Sequence, residues 1–318
     1  MVLLRISSVR LPAWLLAALL LGTLPTGCKK TDDPAIQTNC RITTRKNEAG
    51  ITTSTWTYNP DGQVSKLVYS SGERIDFVYN SDGYLTTRTY LLANGNVSTT
   101  RTFDYVSGRI IKITFRNSTG AVTSTQTFEY DGAGSLSRLV EAYVGSSTYT
   151  YVFTNNKLSG YTARNSSGAE SQPYTFDNGF VKRYLSGTSQ TNYEYDAQGR
   201  RSRIEYLTSG RVSGYTVYDY TEGTDYDEVV NPFKGFPEAI RYGIIQDGYN
   251  RGLPARVTNY TLPTTGSTYK SSEYTYTYSK NASGFPLETN YVYREYNPTG
   301  TITYTSASKS TYTYEGCQ

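Results

Sequence analysis

The chain has 318 residues, with 31 Lys and Arg against 27 Asp and Glu, no histidine and a formal net charge of +4. This weak excess does not provide the concentrated basic face that nucleic acid binding needs, so we expect no nucleic acid partner. The absence of histidine excludes Ser-His-Asp and Cys-His nucleophilic systems, and the usual zinc sites, in their common forms.

The first 27 residues have the pattern of a targeting segment that is removed from the mature protein. Two arginines precede an apolar stretch, from Leu11 to Leu24, that is too short to span a membrane as a helix. The stretch runs into Leu24-Pro25-Thr26-Gly27-Cys28, which resembles the lipobox of bacterial lipoproteins. The resemblance implies cleavage before Cys28 and lipidation of that cysteine. The alternative is an ordinary secretory signal followed by an incidental cysteine.

Residues 28–40 are expected to form a lipidated, charged tether. Its segment Lys29-Lys30-Thr31-Asp32-Asp33-Pro34 resembles the Lys/Asp-rich export signal of surface-displayed lipoproteins of Bacteroidota, although a solvated linker explains the residues equally well. Acyl chains on Cys28 would hold the protein on a membrane without spanning it, because each buried methylene contributes about 0.8 kcal/mol. We predict a lipid-anchored protein of the outer membrane, on its periplasmic or cell-surface side.

Two other cysteines, Cys40 and Cys317, lie at opposite ends of the expected folded region. A cell-envelope protein matures where disulfides persist, so we predict that this pair is bonded. In the chain-entropy model such a long closed loop would contribute up to roughly 5 kcal/mol. The alternative is two unpaired buried thiols.

Residues 41–318 are read as one β domain, because a short phrase recurs along them. Two aromatic residues flank one other residue, a turn rich in Asp, Asn and Gly follows, and a new run of alternating apolar and polar residues begins. The phrase appears at Trp56–Gly62, Phe77–Gly83, Phe103–Gly108, Phe128–Gly134 and Tyr193–Gly199.

The segments between turns are rich in Thr, Tyr, Val, Ile and Phe, and they alternate with period two, as in Tyr274, Tyr276 and Tyr278. Helical periodicity is nowhere sustained. The repeat predicts an antiparallel meander of about 20 strands. A sheet of that size curls, splits or closes, because its twist accumulates. A barrel-like roll, a sandwich and a membrane barrel are the candidate architectures, and short turns at both ends disfavour the last.

The phrase is interrupted after Tyr220, and residues 221–270 read as an irregular insertion. This insertion contains the acidic residues Asp225, Asp227 and Glu228. Carboxylates in an irregular loop could bind calcium or, as a pair, hydrolyse glycans, but a solvated loop is the expected role. We therefore assign no catalytic residue and no metal site. No Gly-rich phosphate loop lies between a strand and a helix, so we expect no cofactor.

The acids within the turns, Asp61, Asp82, Asp131 and Asp196, are explained by turn geometry rather than by ligand binding. The 33 tyrosines could form an exposed stacking surface for sugar rings. For the aromatic pairs of the phrase we expect core positions instead, because without these rings the sheet has too few apolar residues to pack.

The turns of the form Tyr-Asn/Asp-x-x-Gly, across roughly residues 50–220, resemble the YD repeats of RHS-type proteins. The order of lipobox, YD-like repeats, Asn231-Pro232-Phe233 segment and terminal Gly-Phe-Pro and Tyr-x-Tyr strands resembles a Bacteroidota lipoprotein family of unknown function with a porin-like fold. This resemblance implies a rolled antiparallel meander and implies no activity. Unlike the large RHS shells, the chain has few repeats and no toxin-like C-terminal domain.

The function expected from the sequence is that of a non-enzymatic binding or structural module, anchored to the membrane. Its candidate partners are a glycan, a lipid or another envelope protein. A carrier that holds an amphipathic ligand inside a half-closed β-roll is the alternative. A glycan hydrolase that uses the acids near residue 225 ranks lowest.

Overall fold

The computed structural model describes residues 41–155, 157–220, 254–282 and 285–316, which belong to one compact unit, Asn39–Gln318. The described part is all β and contains 21 strands, as the alternating pattern predicted. It contains no helix that could serve as a transmembrane span. The strands are β1 (Arg41–Asn47), β2 (Thr52–Tyr58), β3 (Val64–Tyr69), β4 (Arg74–Tyr79), β5 (Leu85–Leu91), β6 (Val97–Val106), β7 (Arg109–Arg116), β8 (Val122–Tyr130), β9 (Leu136–Tyr143), β10 (Thr148–Thr154), β11 (Lys157–Arg164), β12 (Glu170–Ser171), β13 (Tyr174–Asp177), β14 (Phe180–Ser186), β15 (Ser189–Tyr195), β16 (Arg201–Thr208), β17 (Arg211–Asp219), β18 (Arg256–Thr261), β19 (Tyr269–Lys280), β20 (Pro286–Tyr296) and β21 (Ile302–Glu315).

All strands belong to a single antiparallel sheet, so the sandwich alternative is not observed. Each strand pairs with the next along the chain, except that β12 does not pair with β13, and β21 also pairs with β1, where Arg41 lies opposite Glu315. A meander whose first and last strands pair must curve round on itself. β12 pairs with β11 and β13 pairs with β14, but no ladder among the described strands joins β13 to β11 or β12, so the sheet is rolled but is not a closed barrel. Pro173 lies at this interruption and has no N–H to donate to a ladder.

The strand register places the aromatic residues of the phrase on one face of the sheet. Trp56 lies opposite Leu67, Phe103 opposite Ile113 and Phe128 opposite Leu139. We call this the inner face, because it carries the buried core, and the other the outer face. The core cluster is formed by Leu85, Phe103, Ile110, Ile113, Phe128, Leu136, Leu139, Phe153 and Leu158. The predicted core positions of the phrase aromatics are therefore confirmed for Phe103 and Phe128, and Phe77, Tyr79, Tyr105 and Tyr130 pack against the same cluster.

The turns of the phrase are tight hairpins with a left-handed glycine. At one of them, Gly199 has φ 77° and donates to the carbonyl of Asp196, while Asp196 N–H donates to the carbonyl of Arg200. This is the three-residue hairpin loop that ends in a bulge, which requires a residue with positive φ. The side chain of Asp196 accepts from the N–H groups of Gln198 and Arg200, and Asp131 accepts from Ser135. The predicted turn role of these two acids is confirmed.

The tyrosine that precedes most of these turns ties two neighbouring strands together. Its hydroxyl donates to a backbone carbonyl at the start of the preceding strand, or just before it, next to the turn. The bonds run from Tyr58 to Ile42 (2.7 Å), Tyr79 to Val64 (2.9 Å), Tyr130 to Ile110 (2.7 Å), Tyr195 to Val181 (3.0 Å), Tyr278 to Pro254 (2.9 Å) and Tyr314 to Pro286 (2.8 Å). The second aromatic of the phrase is thus a packing residue and a hydrogen-bond donor at once.

The residue after each turn glycine contacts the next turn at the same end of the sheet. Arg109 lies over the ring of Tyr130, and Phe180 lies 4.7 Å from the ring of Tyr195. A Cβ on Gly199 would come within 2.9 Å of Phe180, so glycine is required there for close approach as well as for φ. Successive turns are interlocked in this way, which explains why the phrase repeats.

The two ends of the roll differ. The strands alternate in direction, except that β12 and β13 run the same way, so the turns of the phrase all lie at one end, together with Arg41 and Glu315. We call this the proximal end, because it carries both termini of the described sheet. The distal end carries the other turns, such as those between β5 and β6 and between β9 and β10.

Candidate functional site

The site residues predicted from the sequence lie outside the described residues. These are the lipidation site Cys28, the cysteine pair Cys40 and Cys317, and the acids Asp225, Asp227 and Glu228. Their roles remain predictions.

The inner face changes character between its proximal and distal parts. The proximal part is an apolar layer, in which Leu85, Ile110 and Leu139 are fully buried. Further along the same strands, toward the distal end, the same face carries arginine, glutamate and tyrosine, since Arg88 follows Leu85 and Glu141 follows Leu139. The roll therefore has a packed apolar floor with a polar, aromatic surface above it.

A continuous group of tyrosine rings lines this polar surface on strands β9 to β14. We call it the tyrosine cluster; its members are Tyr143, Tyr149, Tyr151, Tyr161, Tyr174 and Tyr184. Tyr149 stacks on Tyr161 at 6.1 Å, Tyr161 meets Tyr174 edge to face at 4.9 Å, and Tyr174 lies 4.7 Å from Tyr184. The cluster bridges the interruption of the sheet, because Tyr161 belongs to β11 and Tyr174 to β13.

The cluster combines accessible ring surface with hydroxyl groups, four of which have raised pKa values. Tyr143, at the distal rim, is 43% exposed, and the other members are partly buried. Burial raises the pKa of Tyr174 to about 12, and it raises the pKa values of Tyr151 and Tyr161 further. A hydrogen bond to Glu141 is the main cause that raises the pKa of Tyr143 to about 12. These hydroxyls are neutral donors at physiological pH.

A second group of rings lies on the inner face of the last three strands. Tyr274, Tyr276 and Tyr278 follow one another along β19 with nearly parallel rings, 6.3 and 6.4 Å apart. Tyr293 of β20 lies 4.6 Å from Tyr274 and contacts Tyr304 of β21 at 6.1 Å. The alternation seen in the sequence predicted the strand here, but it did not show that the rings stack.

A pocket of about 930 Å³ lies on the outer face, beside the ends of β17 and β18. Three carboxylates line it, and each lies against a cation. Asp196 pairs with Arg200 at 2.7 Å, Asp219 with Arg256 at 2.8 Å, and Glu273 with Lys270 at 3.3 Å. Glycoside hydrolysis uses two carboxyl groups that flank the scissile bond, whereas each of these three carboxylates is paired with a cation. The pocket lining is charged, whereas the carrier hypothesis requires an apolar cavity.

Among the described residues, His, Cys, Asp and Glu do not gather into a group of three that could hold a metal ion. The sequence patterns did not single out the tyrosine cluster as a binding site. One feature of the sequence does distinguish its members: Tyr143, Tyr149 and Tyr161 are distant from the Asn/Asp-Gly turns, so they are not the tyrosines that the turn phrase requires.

No protein-family model matches the chain, and no curated protein matches it. Solved structures do. A porin-like protein from Bacteroides uniformis aligns over 86% of this chain and 98% of its own, with 16% identity and a TM-score of 0.40.

Toxin-related structures also align with the chain. The structure of TcdB2-TccC3-TEV aligns over 84% of this chain and 14% of its own, with 13% identity and a TM-score of 0.44. The N-terminal domain of the effector SpvB from Salmonella typhimurium aligns over 82% of this chain and 95% of its own, with 11% identity and a TM-score of 0.26. At these identities the likeness concerns the fold alone.

Proposed function

We propose that this chain is a non-enzymatic, lipid-anchored protein of the bacterial outer membrane whose tyrosine cluster binds saccharides. The observation that carries the proposal is the row of contacting rings on the inner face, from Tyr143 to Tyr184. Sugar rings present apolar C–H faces edged by hydroxyls, and tyrosine offers an apolar ring with a polar tip. Binding sites of this kind combine aromatic walls with a few convergent polar groups.

The position of the cluster suits an anchored binding protein. A lipid on Cys28 would be connected through a short tether to Arg41, at the proximal end. Tyr143 and Tyr149 lie at the opposite end, where β9 turns into β10. The proposed site and Arg41 therefore lie at opposite ends of the sheet.

The binding module is favoured over the alternatives by the chemistry of the described surfaces. The carrier requires an apolar cavity, but the apolar part of the inner face is filled by the packed core cluster. The hydrolase requires a free acid, but the carboxylates of the outer pocket are paired with cations.

The proposal is tested by titrating the mature full-length chain, in detergent, with neutral and acidic oligosaccharides in a calorimeter. Tyr149→Ala and Tyr161→Ala should weaken binding by about 1 to 2 kcal/mol each, or roughly tenfold, because each removes a stacking ring. Tyr215→Ala is the matched control, since Tyr215 stacks on Tyr260 at 4.6 Å on the outer face. Equal losses in all three variants, or no saccharide binding by the wild type, would remove the proposal.

A further inference from the structure

Two arginines lie side by side on the inner face, above the apolar floor. Arg88 of β5 is directly opposite Arg101 of β6. Directly opposite side chains of an antiparallel pair have Cβ atoms about 5 Å apart, and like charges placed there are destabilising. The two opposed arginines therefore cost the sheet stability, and residues that do so are concentrated at functional positions in proteins.

Neither guanidinium forms an ion pair within the described part of the chain, although the charge of Glu141 acts on Arg101. Arg88 lies over the ring of Phe77 at 5.9 Å, and Arg101 over the ring of Phe115 at 4.7 Å. Among the described residues, neither of the two arginines forms an ion pair or donates a hydrogen bond. By contrast, Arg138 on the outer face pairs with Glu129 at 3.1 Å. The ring faces hold the guanidiniums in place and leave their N–H groups available.

Burial acts against both charges. Loss of hydration lowers the pKa of Arg88 and that of Arg101, and the neighbouring charge of Arg88 lowers the pKa of Arg101 further, while the charge of Glu141 acts in the opposite direction on Arg101. Loss of hydration and the repulsion between the two arginines mean that the pair would gain from an anion placed between the two side chains. A partly desolvated guanidinium pair also interacts more strongly with an anion than an exposed pair does.

The arginine pair adjoins the tyrosine cluster. Glu141 and Tyr143 are both close enough to act electrostatically on Arg101, and the hydroxyl of Tyr143 donates to Glu141 at 2.8 Å. Glu141 is thereby already engaged by the cluster. A ligand that stacks on Tyr143 and Tyr149 would extend along the inner face toward Arg101.

We propose that Arg88 and Arg101 form an oxyanion subsite that receives the carboxylate or sulfate ester of an acidic saccharide bound on the tyrosine cluster; this inference rests on the proposed saccharide function. Two forked guanidiniums present several N–H donors to one oxyanion, and such charge-assisted hydrogen bonds are about twice as strong as neutral ones. The ligand class is therefore a uronic-acid or sulfated oligosaccharide, rather than a neutral glycan.

The test uses the mature full-length chain in detergent and three galactose-based oligosaccharides of equal length. One is a neutral galactan, one is an oligogalacturonide that carries carboxylates, and one is a sulfated galactan. The variants are Arg88→Gln, Arg101→Gln and the double variant. The control is Arg138→Gln, which removes an outer-face arginine and changes the net charge by the same amount as each single variant. Circular dichroism and the thermal midpoint check folding, and the single variants provide the result if the double variant does not fold.

We expect the wild type to bind at least one acidic oligosaccharide more tightly than the neutral one, and the double variant to lose roughly 10- to 100-fold of that affinity. The double variant should bind the neutral oligosaccharide with the same affinity as the wild type. The Arg138→Gln variant should bind all three oligosaccharides with the wild-type affinities. Two results would overturn the proposed subsite while leaving the saccharide function in place. One is a double variant that keeps the wild-type affinity for the acidic oligosaccharides, and the other is a wild type that binds neutral and acidic oligosaccharides equally well. If none of the three oligosaccharides binds, the saccharide function itself fails, and the subsite with it.

Discussion

The hydroxyl of Tyr130 donates a 2.7 Å hydrogen bond to the backbone carbonyl of Ile110, and it thereby satisfies a polar group inside the apolar floor. Ile110 is itself fully buried, so this carbonyl has no easy access to water. In the preceding repeat, Tyr105 occupies the equivalent position, but its buried hydroxyl has no hydrogen-bond partner among the described residues. The same side chain in the same repeat position is therefore satisfied in one case and unsatisfied in the other.

Removing these two hydroxyls should have opposite consequences. Tyr130→Phe leaves a buried carbonyl unpaired and should lower the free energy of unfolding by about 1 to 2 kcal/mol. Tyr105→Phe removes an unpaired buried hydroxyl and should be neutral or stabilising. Urea denaturation followed by circular dichroism measures both. Equal losses in the two variants would show that the hydroxyl bond does not hold neighbouring strands together.

The interlocking of successive turns predicts a difference between two glycines that have the same backbone conformation. Gly199 (φ 77°) and Gly120 (φ 82°) both end three-residue hairpin loops. Alanine at either position is strained by about 1 kcal/mol or more, because φ is positive. Only at Gly199 would the new Cβ also meet the ring of Phe180, whereas nothing lies within 4 Å at Gly120.

Gly199→Ala should therefore lower the thermal midpoint more than Gly120→Ala does. The difference between the two variants isolates the steric contact from the backbone strain. If Phe180→Ala is added to Gly199→Ala, the extra loss should shrink. An equal shift for both single variants would indicate that the turns do not depend on this contact.

Alkaline pH should destabilise the fold. Burial raises the pKa of Tyr79 and that of Tyr130 to about 12, compared with about 10 in the unfolded chain. The folded state then binds more protons than the unfolded state between pH 10 and 12. The stability that these groups contribute is complete below pH 10 and is lost as the pH rises toward 12.

The free energy of unfolding, measured in urea at a series of pH values, should fall steeply above pH 10. Tyr79→Phe should reduce that slope by up to about 1.4 kcal/mol per pH unit, since one titrating proton is removed. Absorbance at 295 nm reports tyrosinate formation independently. Ionisation of all tyrosines near pH 10 in the folded protein would contradict the prediction.

The disulfide stays a prediction, and its two cysteines adjoin paired residues of the first and last strands. Arg41 of β1 lies opposite Glu315 of β21, and the two cysteines are attached one residue before Arg41 and two residues after Glu315. A bond between Cys40 and Cys317 would fasten the first strand to the last. Non-reducing electrophoresis should show a faster-migrating form that Cys317→Ser abolishes. Identical migration with and without reductant would argue against the bond.

The predicted lipid anchor is tested by Cys28→Ser. Without the acyl chains, the protein should move from the membrane fraction to the soluble fraction, because the folded sheet itself is not expected to insert. Cys40→Ser, which leaves the lipobox intact, is the control and should remain with membranes. Unchanged partitioning of Cys28→Ser would refute the anchor.

Much of the fold followed from local sequence. The spacing of Asn/Asp-Gly turns predicted the meander and its number of strands, because a three-residue hairpin loop is specified by its own residues. The period-two pattern predicted that aromatic residues such as Phe103 and Phe128 share one buried face. These features depend on neighbours along the chain, so a single sequence is enough to show them.

The candidate site could not be predicted in the same way. Most of the described hairpins contain a bulge, and each bulge shifts the pairing by one residue, which decides which side chains lie opposite one another. That Arg88 faces Arg101 is a result of this register and not of their spacing in the sequence. The contact of Tyr161 with Tyr174 likewise depends on the interruption beside Pro173.

The sequence by itself determined that the chain forms antiparallel strands, where they turn, and which of their faces is apolar, because these are properties of adjacent residues. Only the tertiary structure decided that β21 returns to β1, that the ladder stops at β12, and that arginines and tyrosines from separate strands share one polar surface above the core. Those outcomes depend on contacts between residues far apart in sequence, where accumulated twist and bulge-dependent register, rather than local preference, set the geometry.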